Sequence, residues 1–420
     1  MFKDIIFRLI IIFLLLFIAW IAFVPEPWQI KYGLQVKYVL FFLFLISLAR
    51  YKFNLQKYCF SKDDYFFWLY LLLISLNIWF AKEPTVAWNF YRDLSLNAIL
   101  IYFIFKNEIN EKNMRWVLYG LCLCAAAVSL FGYFEMLFKK NFIYEYLMDS
   151  FCYQRFIKQG RMMSTLMHPN ILGVYLLVCV PAAYYFYKKA DSVVIRALNL
   201  SVFLLILSAI FLTYSRGTYL AFLLMLSILA ILKRKFRWLF FIWGMFIFFS
   251  FIINLSALFL KINTNLVKRF GIFFLFNYLR FGNRAKQYFI TANILKIHPF
   301  VGIGLNHYRM LFNQYSGGIK LSYEVMVPES VYLMHLAETG LIGFTGMLLF
   351  LINIFKKIVR LYKEIEGESK GMFFALIMGF IGLLINMASF DGFLWRTPFY
   401  LFWILVGMIT GSSKVMPRRV

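Results

Sequence analysis

Charged side chains are scarce in this 420-residue chain, at 15% of residues, whereas a soluble domain carries about 25%. Acidic residues are the rarer kind, with 19 Asp and Glu against 44 Lys and Arg, a net charge of +25. The scarcity of charge excludes an ordinary soluble protein. The basic excess does not indicate nucleic-acid binding, because no soluble module interleaves basic and aromatic residues. We therefore expect membrane lipids, and no nucleic acid, as partners.

Cysteine is also rare. The five cysteines have no metal-ligand spacing with the four histidines, and only Cys152 is predicted to be exposed on the outer face. We therefore expect no disulfide framework, no metal site and no cofactor. Internal repeats and Gly/Ser-rich linkers are absent as well, which predicts a single integral membrane domain over residues 1–420.

Hydrophobic residues make up 63% of the chain and occur in blocks of about 20, enough for a helix to cross a hydrocarbon core of ~30 Å. This pattern predicts an all-α polytopic membrane protein. Twelve spans are expected, at residues 5–24, 36–49, 65–81, 90–105, 116–138, 171–187, 196–214, 217–232, 238–260, 331–355, 372–388 and 393–411.

Lys and Arg are concentrated in alternate loops, such as "RYKFNLQK", "KRKFR" and "KKIVRLYK". The positive-inside rule then places both termini in the cytoplasm. Two long segments are predicted on the outer face. These are a smaller loop at 139–170 and a large loop at 261–330, between the ninth and tenth spans.

The large outer loop is rich in cations, although positive charge is disfavoured on that side. Its only acids are Glu324 and Glu329. Within it, "NRAKQYFITANILKI" (283–297) has the spacing of an amphipathic helix, expected at the membrane interface. Contact with phospholipid could explain any one cation, but the set indicates an anionic ligand. The cations are Lys261, Lys268, Arg269, Arg280, Arg284, Lys286, Lys296, Arg309 and Lys320.

Three other outer groups are candidates for chemistry. Arg216, in "LTYSRGTYL", lies in a tight hairpin between two spans, where it could bind an anion or simply extend to a lipid headgroup. Glu329 precedes the tenth span, either as a general base or as a solvated carboxylate beside a helix N-terminus. Asp391 is a further outer carboxylate of undefined role.

Four motifs in this order resemble the O-antigen ligase and polymerase superfamily, whose members are membrane glycosyltransferases. Together with the twelve-span plan and the long loop between the ninth and tenth spans, the resemblance covers most of residues 155–411. One position departs from the pattern: Glu329 stands where many ligases have His, and some polymerases have an acidic residue there. The motifs are "GRMMSTLMHPNILGVYLLVCVPA", "LTYSRGTYL", "NRAKQYFITANILKIHPFVGIGLNHYR" and "ESVYLMHLAETGLIG".

The resemblance implies a GT-C-like fold and a role for each matching residue. Arg216 and Arg284 would bind the diphosphate of an undecaprenyl-diphosphate-linked glycan, and Glu329 would deprotonate the acceptor hydroxyl. Transfer would invert the configuration at the anomeric carbon. It would need no metal, because guanidinium groups stabilise the leaving diphosphate. Further substrate contacts are expected from Arg161, Lys268, Arg269, Arg280, His298, Arg309 and Asp391.

The leading functional hypothesis is therefore an O-antigen ligase of the bacterial inner membrane. It would transfer the glycan to a lipid A-core sugar, with its active site facing the periplasm. A polymerase, which uses a second lipid-linked glycan as acceptor, is the alternative, and a chain-length regulator could then be a partner. A flippase or other transporter is a third hypothesis, disfavoured because the halves of the chain are dissimilar and the candidate groups cluster at one face.

Overall fold

The computed structural model describes residues 2–141, 159–260, 283–321 and 326–414, together with Ile143 and Phe156 as single residues. Within these ranges every regular element is a helix, and none of the described residues lies in a strand. The predicted all-helical class is confirmed.

Sixteen α-helices occur in the described part of the chain. In chain order they are α1 Phe2–Phe23, α2 Glu26–Lys31, α3 Gly33–Arg50, α4 Leu55–Cys59, α5 Tyr65–Ser75, α6 Pro84–Glu108, α7 Glu111–Phe138, α8 Pro169–Lys189, α9 Val193–Leu212, α10 Arg216–Leu232, α11 Phe236–Leu260, α12 Asn283–Ile297, α13 Tyr308–Tyr315, α14 Val331–Glu364, α15 Gly367–Met387 and α16 Arg396–Gly411.

Six helices are long and apolar enough to cross a membrane by length and composition: α3, α7, α8, α9, α14 and α15. This is consistent with a multi-pass membrane protein. Each of the twelve predicted spans overlaps one helix, the remaining six being α1, α5, α6, α10, α11 and α16. The total of twelve crossings and the placement of the large loop between the ninth and tenth spans remain predictions.

An aromatic cluster around Trp403 of α16 joins four helices. The buried Trp403 ring lies 5.5 Å from the ring of Phe67 (α5) and 5.7 Å from that of Phe350 (α14), measured between centroids. Tyr102 of α6 stacks on Phe67 at 4.6 Å. Each such ring pair contributes about 0.5–1.5 kcal/mol beyond the burial of its surface. The cluster therefore fixes α5, α6, α14 and α16 around one core.

Glycines allow two helix pairs to approach until their backbones touch. A Cβ atom on Gly407 of α16 would lie 2.8 Å from the carbonyl oxygen of Tyr102 in α6. A Cβ atom on Gly379 of α15 would lie 2.7 Å from the carbonyl oxygen of Val178 in α8. Close contact through small residues is how helices pack in lipid, where burial of apolar side chains gives little driving force.

Helix α14 is interrupted at Gly340, so the tenth predicted span consists of two helical segments. The φ of 62° and ψ of −166° at Gly340 fall in a region that is essentially restricted to glycine. Residues 299–304 dock at this break. The Gly304 N–H donates to the Glu338 carbonyl oxygen at 3.0 Å, and the Leu341 N–H donates to the Pro299 carbonyl oxygen at 2.8 Å.

The side chain of Asn77 also holds this docked segment in place, through hydrogen bonds. Asn77 lies in the 3₁₀ turn Leu76–Phe80 that follows α5, so the third predicted span, at 65–81, is not one continuous α-helix. Its side-chain Nδ2 donates to the Glu338 carbonyl oxygen at 2.7 Å, and its Oδ1 accepts the Leu305 N–H at 2.7 Å. The segment between α12 and α13 is thus held against both α5 and α14.

The close approach of α6 and α16 can be tested with Gly407→Ala. The added methyl group would overlap the α6 backbone, and overpacking of this kind costs about 1–3 kcal/mol. The melting temperature of the purified protein in detergent should fall. Gly244→Ala in α11 is the matched control, because a Cβ atom there meets nothing within 4 Å. Equal melting temperatures for the two variants would contradict this packing.

Candidate active site

The structure brings Arg284 and Glu329 together. Arg284 lies in the first turn of α12, and both its Nε (3.0 Å) and its Nη2 (2.9 Å) donate to Oε2 of Glu329. The Glu329 backbone N–H donates to Oε1 of Gln287, one turn further along α12, at 3.2 Å. The side chains remain partly accessible, 18% for Arg284 and 27% for Glu329. The guanidinium and the carboxylate therefore form a fixed pair that a ligand can still reach.

Glu329 is positioned by the start of α14. Ser330 is the N-cap of this helix, and its Oγ accepts the Leu333 N–H at 3.4 Å. A carboxylate just before a helix also lies near the positive end of the helix dipole. Both the cap and the contact with α12 hold the backbone at 329 in place.

Ser389 contacts both the Arg284–Glu329 pair and the hairpin that carries Arg216. Nη2 of Arg284 also donates to the Ser389 carbonyl oxygen at 2.8 Å. Gly217 packs directly on Ser389, so that a Cβ atom at 217 would overlap the serine hydroxyl. Arg216, half-buried, is the first residue of α10 and is adjacent to Gly217. Residues 216, 284 and 329, which are far apart in the chain, thus come from segments that converge around Ser389.

Asp391 is electrostatically coupled to this group. Loss of hydration raises the pKa of its carboxyl group from the ordinary 3.8 to about 6, and the negative charge of Glu329 adds to the rise. Nε1 of Trp395 donates to Asp391 Oδ1 at 3.4 Å. The positive charge of Arg309 acts in the opposite direction and lowers the pKa.

Arg161 contacts the protein itself. It is buried, its Nε donates to the Thr213 carbonyl oxygen at 3.0 Å, and its Nη2 donates to Oδ1 of Asn170 at 3.2 Å. Its guanidinium group also lies over the Phe156 ring at 5.2 Å. These contacts brace the turn that leads to Arg216. A direct contact of Arg161 with substrate remains a prediction.

Arg309 lines a cavity of about 380 Å³ whose lining reaches Val327, two residues before Glu329. The cavity is bounded by Asn306, Arg309, Met310, Val327, Met334, Glu338 and Leu394. A second hollow of about 20 Å³, with room for about one water molecule, shares Met334 and Glu338 with the cavity and is also lined by Asp391.

His298 lies apart from these residues. It follows the last residue of α12, and its Nε2 is 2.8 Å from the hydroxyl oxygen of Tyr315, in a pair that fixes α12 against α13. Arg284 is at the other end of α12, about 20 Å away at 1.5 Å per residue. The structure therefore does not bring His298 to the Arg284–Glu329 pair. Lys268, Arg269 and Arg280 lie outside the described residues.

Helix α12 spans residues 283–297, as the amphipathic spacing predicts. Its buried face, which includes Gln287, Ile290 and Ile294, packs against other parts of the protein. Helix α13 was not predicted. A position for α12 at the membrane interface remains a prediction.

Glu338 is a candidate that the sequence analysis overlooked. Its side chain is buried, and its Oε1 accepts the Tyr308 N–H at 3.2 Å, at the start of α13. The available signal was an acidic residue inside the apolar run "MHLAETGLIG", where a carboxylate is costly unless it has partners.

The raised pKa of Asp391 predicts a pH-dependent effect of Asp391→Asn. Between about pH 4 and 6 the folded protein holds a proton that the unfolded chain has lost, so stability is lost as the pH rises through 6. The Asn variant should therefore melt above the wild type at pH 8, by a margin that narrows at pH 5. Asp191→Asn, at an exposed loop position, is the control without such a trend. The same margin at both pH values would refute the prediction.

The comparisons with known proteins point to the same segment of the chain. Residues 201–351 match the family model described as O-antigen ligase. This range includes Arg216, Arg284 and Glu329, together with the cavity-lining residues up to Glu338. A search of curated proteins returned no match to the chain. The family match confirms, over residues 201–351, the resemblance to the O-antigen ligase and polymerase superfamily of membrane glycosyltransferases that the motifs predicted.

Proposed function

We propose that this protein is an O-antigen ligase-type glycosyltransferase that moves a glycan from undecaprenyl diphosphate to a lipid A-core sugar. The observation that carries the proposal is the Arg284–Glu329 pair, held around Ser389 beside the hairpin of Arg216. A cation that binds phosphate and a base that accepts a proton are the two groups that such a transfer requires. They lie within the segment that matches the family.

Arg284 and Arg216 would bind the diphosphate of the donor. A guanidinium group donates two parallel hydrogen bonds to phosphate oxygens, which fixes both the position and the orientation of the leaving group. The diphosphate gains negative charge as its bond to the sugar breaks. Fixed cations therefore stabilise the transition state more than the bound substrate, and the protein can supply this charge without a metal.

Glu329 would act as the general base. It accepts the proton of the acceptor hydroxyl while the hydroxyl oxygen attacks the anomeric carbon from the face opposite the diphosphate. A new glycosidic bond forms, the bond to the diphosphate breaks with its electron pair, and the anomeric configuration inverts. In the free protein, however, Glu329 Oε2 accepts two N–H donors from Arg284. Donor phosphate would compete for these donors and leave the carboxylate available for the acceptor.

We further propose that this site faces the periplasm, with both termini in the cytoplasm. The distribution of Lys and Arg among the short loops supports this orientation. The donor's lipid chain would then lie in the outer leaflet of the bacterial inner membrane, with its diphosphate at the level of α12 and the α9–α10 hairpin.

A polymerase is the second candidate, and Glu329 is the residue that favours it. Polymerases of the superfamily include members with an acidic residue in the slot that is His in many ligases. Purified protein incubated with lipid-linked glycan alone, and then with core-lipid acceptor, distinguishes the two. A ladder of lengthening lipid-linked products indicates polymerisation, and a single product on the core lipid indicates ligation.

The role of Glu329 can be tested with Glu329→Gln. The amide cannot take up the proton, so transfer should slow by about 100- to 10,000-fold. The affinity for lipid-linked donor should be equal or higher, because the carboxylate that competes with phosphate for Arg284 is gone. Glu329→His, which restores the residue common among ligases, should recover part of the rate. Product formation in nanodiscs and donor binding are the two measurements. Full transfer by the Gln variant would remove Glu329 from the mechanism.

The role of Arg284 can be tested with Arg284→Gln. Loss of the charged hydrogen bonds from the guanidinium group to the diphosphate should weaken donor binding by about 10- to 100-fold. Arg115→Gln is the matched control, because Arg115 forms an exposed ion pair with Glu368 at 2.7 Å, remote from Ser389. Binding of undecaprenyl-diphosphate-linked glycan to each variant in nanodiscs provides the measurement. Equal affinities would show that Arg284 does not contact the diphosphate.

A further inference from the structure

The proposed mechanism assigns no role to the cavity of about 380 Å³ that Arg309 lines. Val327, two residues before Glu329, is one of its lining residues, and Arg309, another, acts electrostatically on Asp391, as Glu329 does. The cavity and the Arg284–Glu329 pair are therefore neighbours. Its volume lies within the range of about 300–1,000 Å³ that is typical of small-ligand sites.

The lining of the cavity combines polar and apolar side chains. Asn306, Arg309 and Glu338 provide hydrogen-bond donors and acceptors. The other lining residues are apolar: Met310, Val327, Met334 and Leu394. A pyranose ring has the matching character, because its hydroxyl groups project from the rim while its C–H groups form apolar faces.

The charges around the cavity argue against a phosphate in it. Arg309 is the cation of the lining and Glu338 is its carboxylate. The charge of Glu338 offsets that of Arg309 and repels an anion. A neutral sugar can accept from Arg309 and donate to Glu338 without this repulsion. The guanidinium group of Arg284, in contrast, already shows where an anionic oxygen binds.

We propose that this cavity binds the acceptor: the neutral sugar whose hydroxyl group is glycosylated. The inference rests on the proposed function, because it takes Glu329, two residues after the cavity-lining Val327, as the base. Arg309 and Glu338 hold the acceptor by its hydroxyl groups, and the two methionines contact its apolar face. Methionine side chains adapt to different shapes, so we expect the site to accept related sugars. The acceptor sugar comes from a lipid A-core oligosaccharide or from the end of a second lipid-linked glycan.

The test fills the cavity without touching the Arg284–Glu329 pair. Met334→Trp places a larger side chain in it, and Arg309→Gln removes its cation. The matched control, Leu348→Trp, puts the same ring on the exposed apolar face of the same helix, α14. Full-length protein in nanodiscs is titrated with two fluorescein-labelled probes, a lipid A-core oligosaccharide and a repeat-unit oligosaccharide. Donor affinity is measured in parallel, which also reports that each variant is folded.

Met334→Trp and Arg309→Gln should each weaken binding of the acceptor probe by about tenfold or more, with donor affinity and Leu348→Trp unchanged. The probe that the wild type binds identifies the source of the acceptor. The proposal is overturned if neither probe binds the wild type, if the two variants bind as the wild type does, or if they lose donor affinity equally.

The result of the acceptor-binding test does not depend on whether Glu329 is the general base. Loss of acceptor binding in Met334→Trp alongside full transfer by Glu329→Gln would retain the acceptor site and reject the proposed base. Unchanged acceptor binding in Met334→Trp, combined with loss of transfer in Glu329→Gln, would do the reverse.

Discussion

The docking of residues 299–304 into the break of α14 is the constraint on which the candidate site depends. A continuous helix at residues 337–342 would use its own carbonyl groups and could not accept the N–H groups of the loop. Gly340 opens the helix, and backbone hydrogen bonds from Gly304 and to Pro299 fill the gap. Buried backbone groups must be paired, and here the loop and the helix satisfy one another. Because α12 precedes this loop and α13 follows it, their positions, and those of Arg284 and Arg309, are set by the same contacts.

The positions of charged residues also bear on transport as a function. Helix α16 begins at Arg396, beside Asp391 and Trp395, and its last residue, Gly411, packs on the backbone of Lys106. Lys106 forms a buried ion pair with Asp64. The two ends of α16 are about 24 Å apart at 1.5 Å per residue. Transporters commonly place their ionisable groups near the middle of the membrane, whereas these two sets lie at opposite ends of the bundle. This placement differs from that of a typical transporter.

The sequence predicted the long apolar helices, the helix α12 and a shared site for Arg284 and Glu329, for identifiable reasons. Long apolar blocks determine helices whatever their neighbours, and α12 begins and ends where its amphipathic pattern does. The motif order also indicated that Arg284 and Glu329 belong together. The partners that depend on tertiary contacts could not be predicted.

Three residues show why. Ser389 contributes its carbonyl oxygen to Arg284, a group that every residue has, so no side-chain pattern reveals it. Asn77 lies in an apolar block, and its side chain reaches the carbonyl oxygen of Glu338 only because α5 ends in a 3₁₀ turn beside the loop. Glu338 is marked by its apolar surroundings, yet its partner, the N–H of Tyr308, is 30 residues away in the chain. Such contacts follow from the fold, and the local sequence does not encode them.

The pairing of Glu329 with Arg284 explains how a phosphate-binding cation can persist at a partly buried position. A guanidinium group that is only 18% exposed needs a partner, because a buried unpaired charge costs several kcal/mol, as an order of magnitude. A neutral histidine in this slot would compensate that charge poorly, whereas a carboxylate compensates it fully. On the proposed mechanism the same contact withholds the base until phosphate takes its place. A water molecule that enters the site before the donor then meets a carboxylate already engaged by Arg284. The substitution of the usual histidine by glutamate would thus link occupation of the donor site to activation of the acceptor.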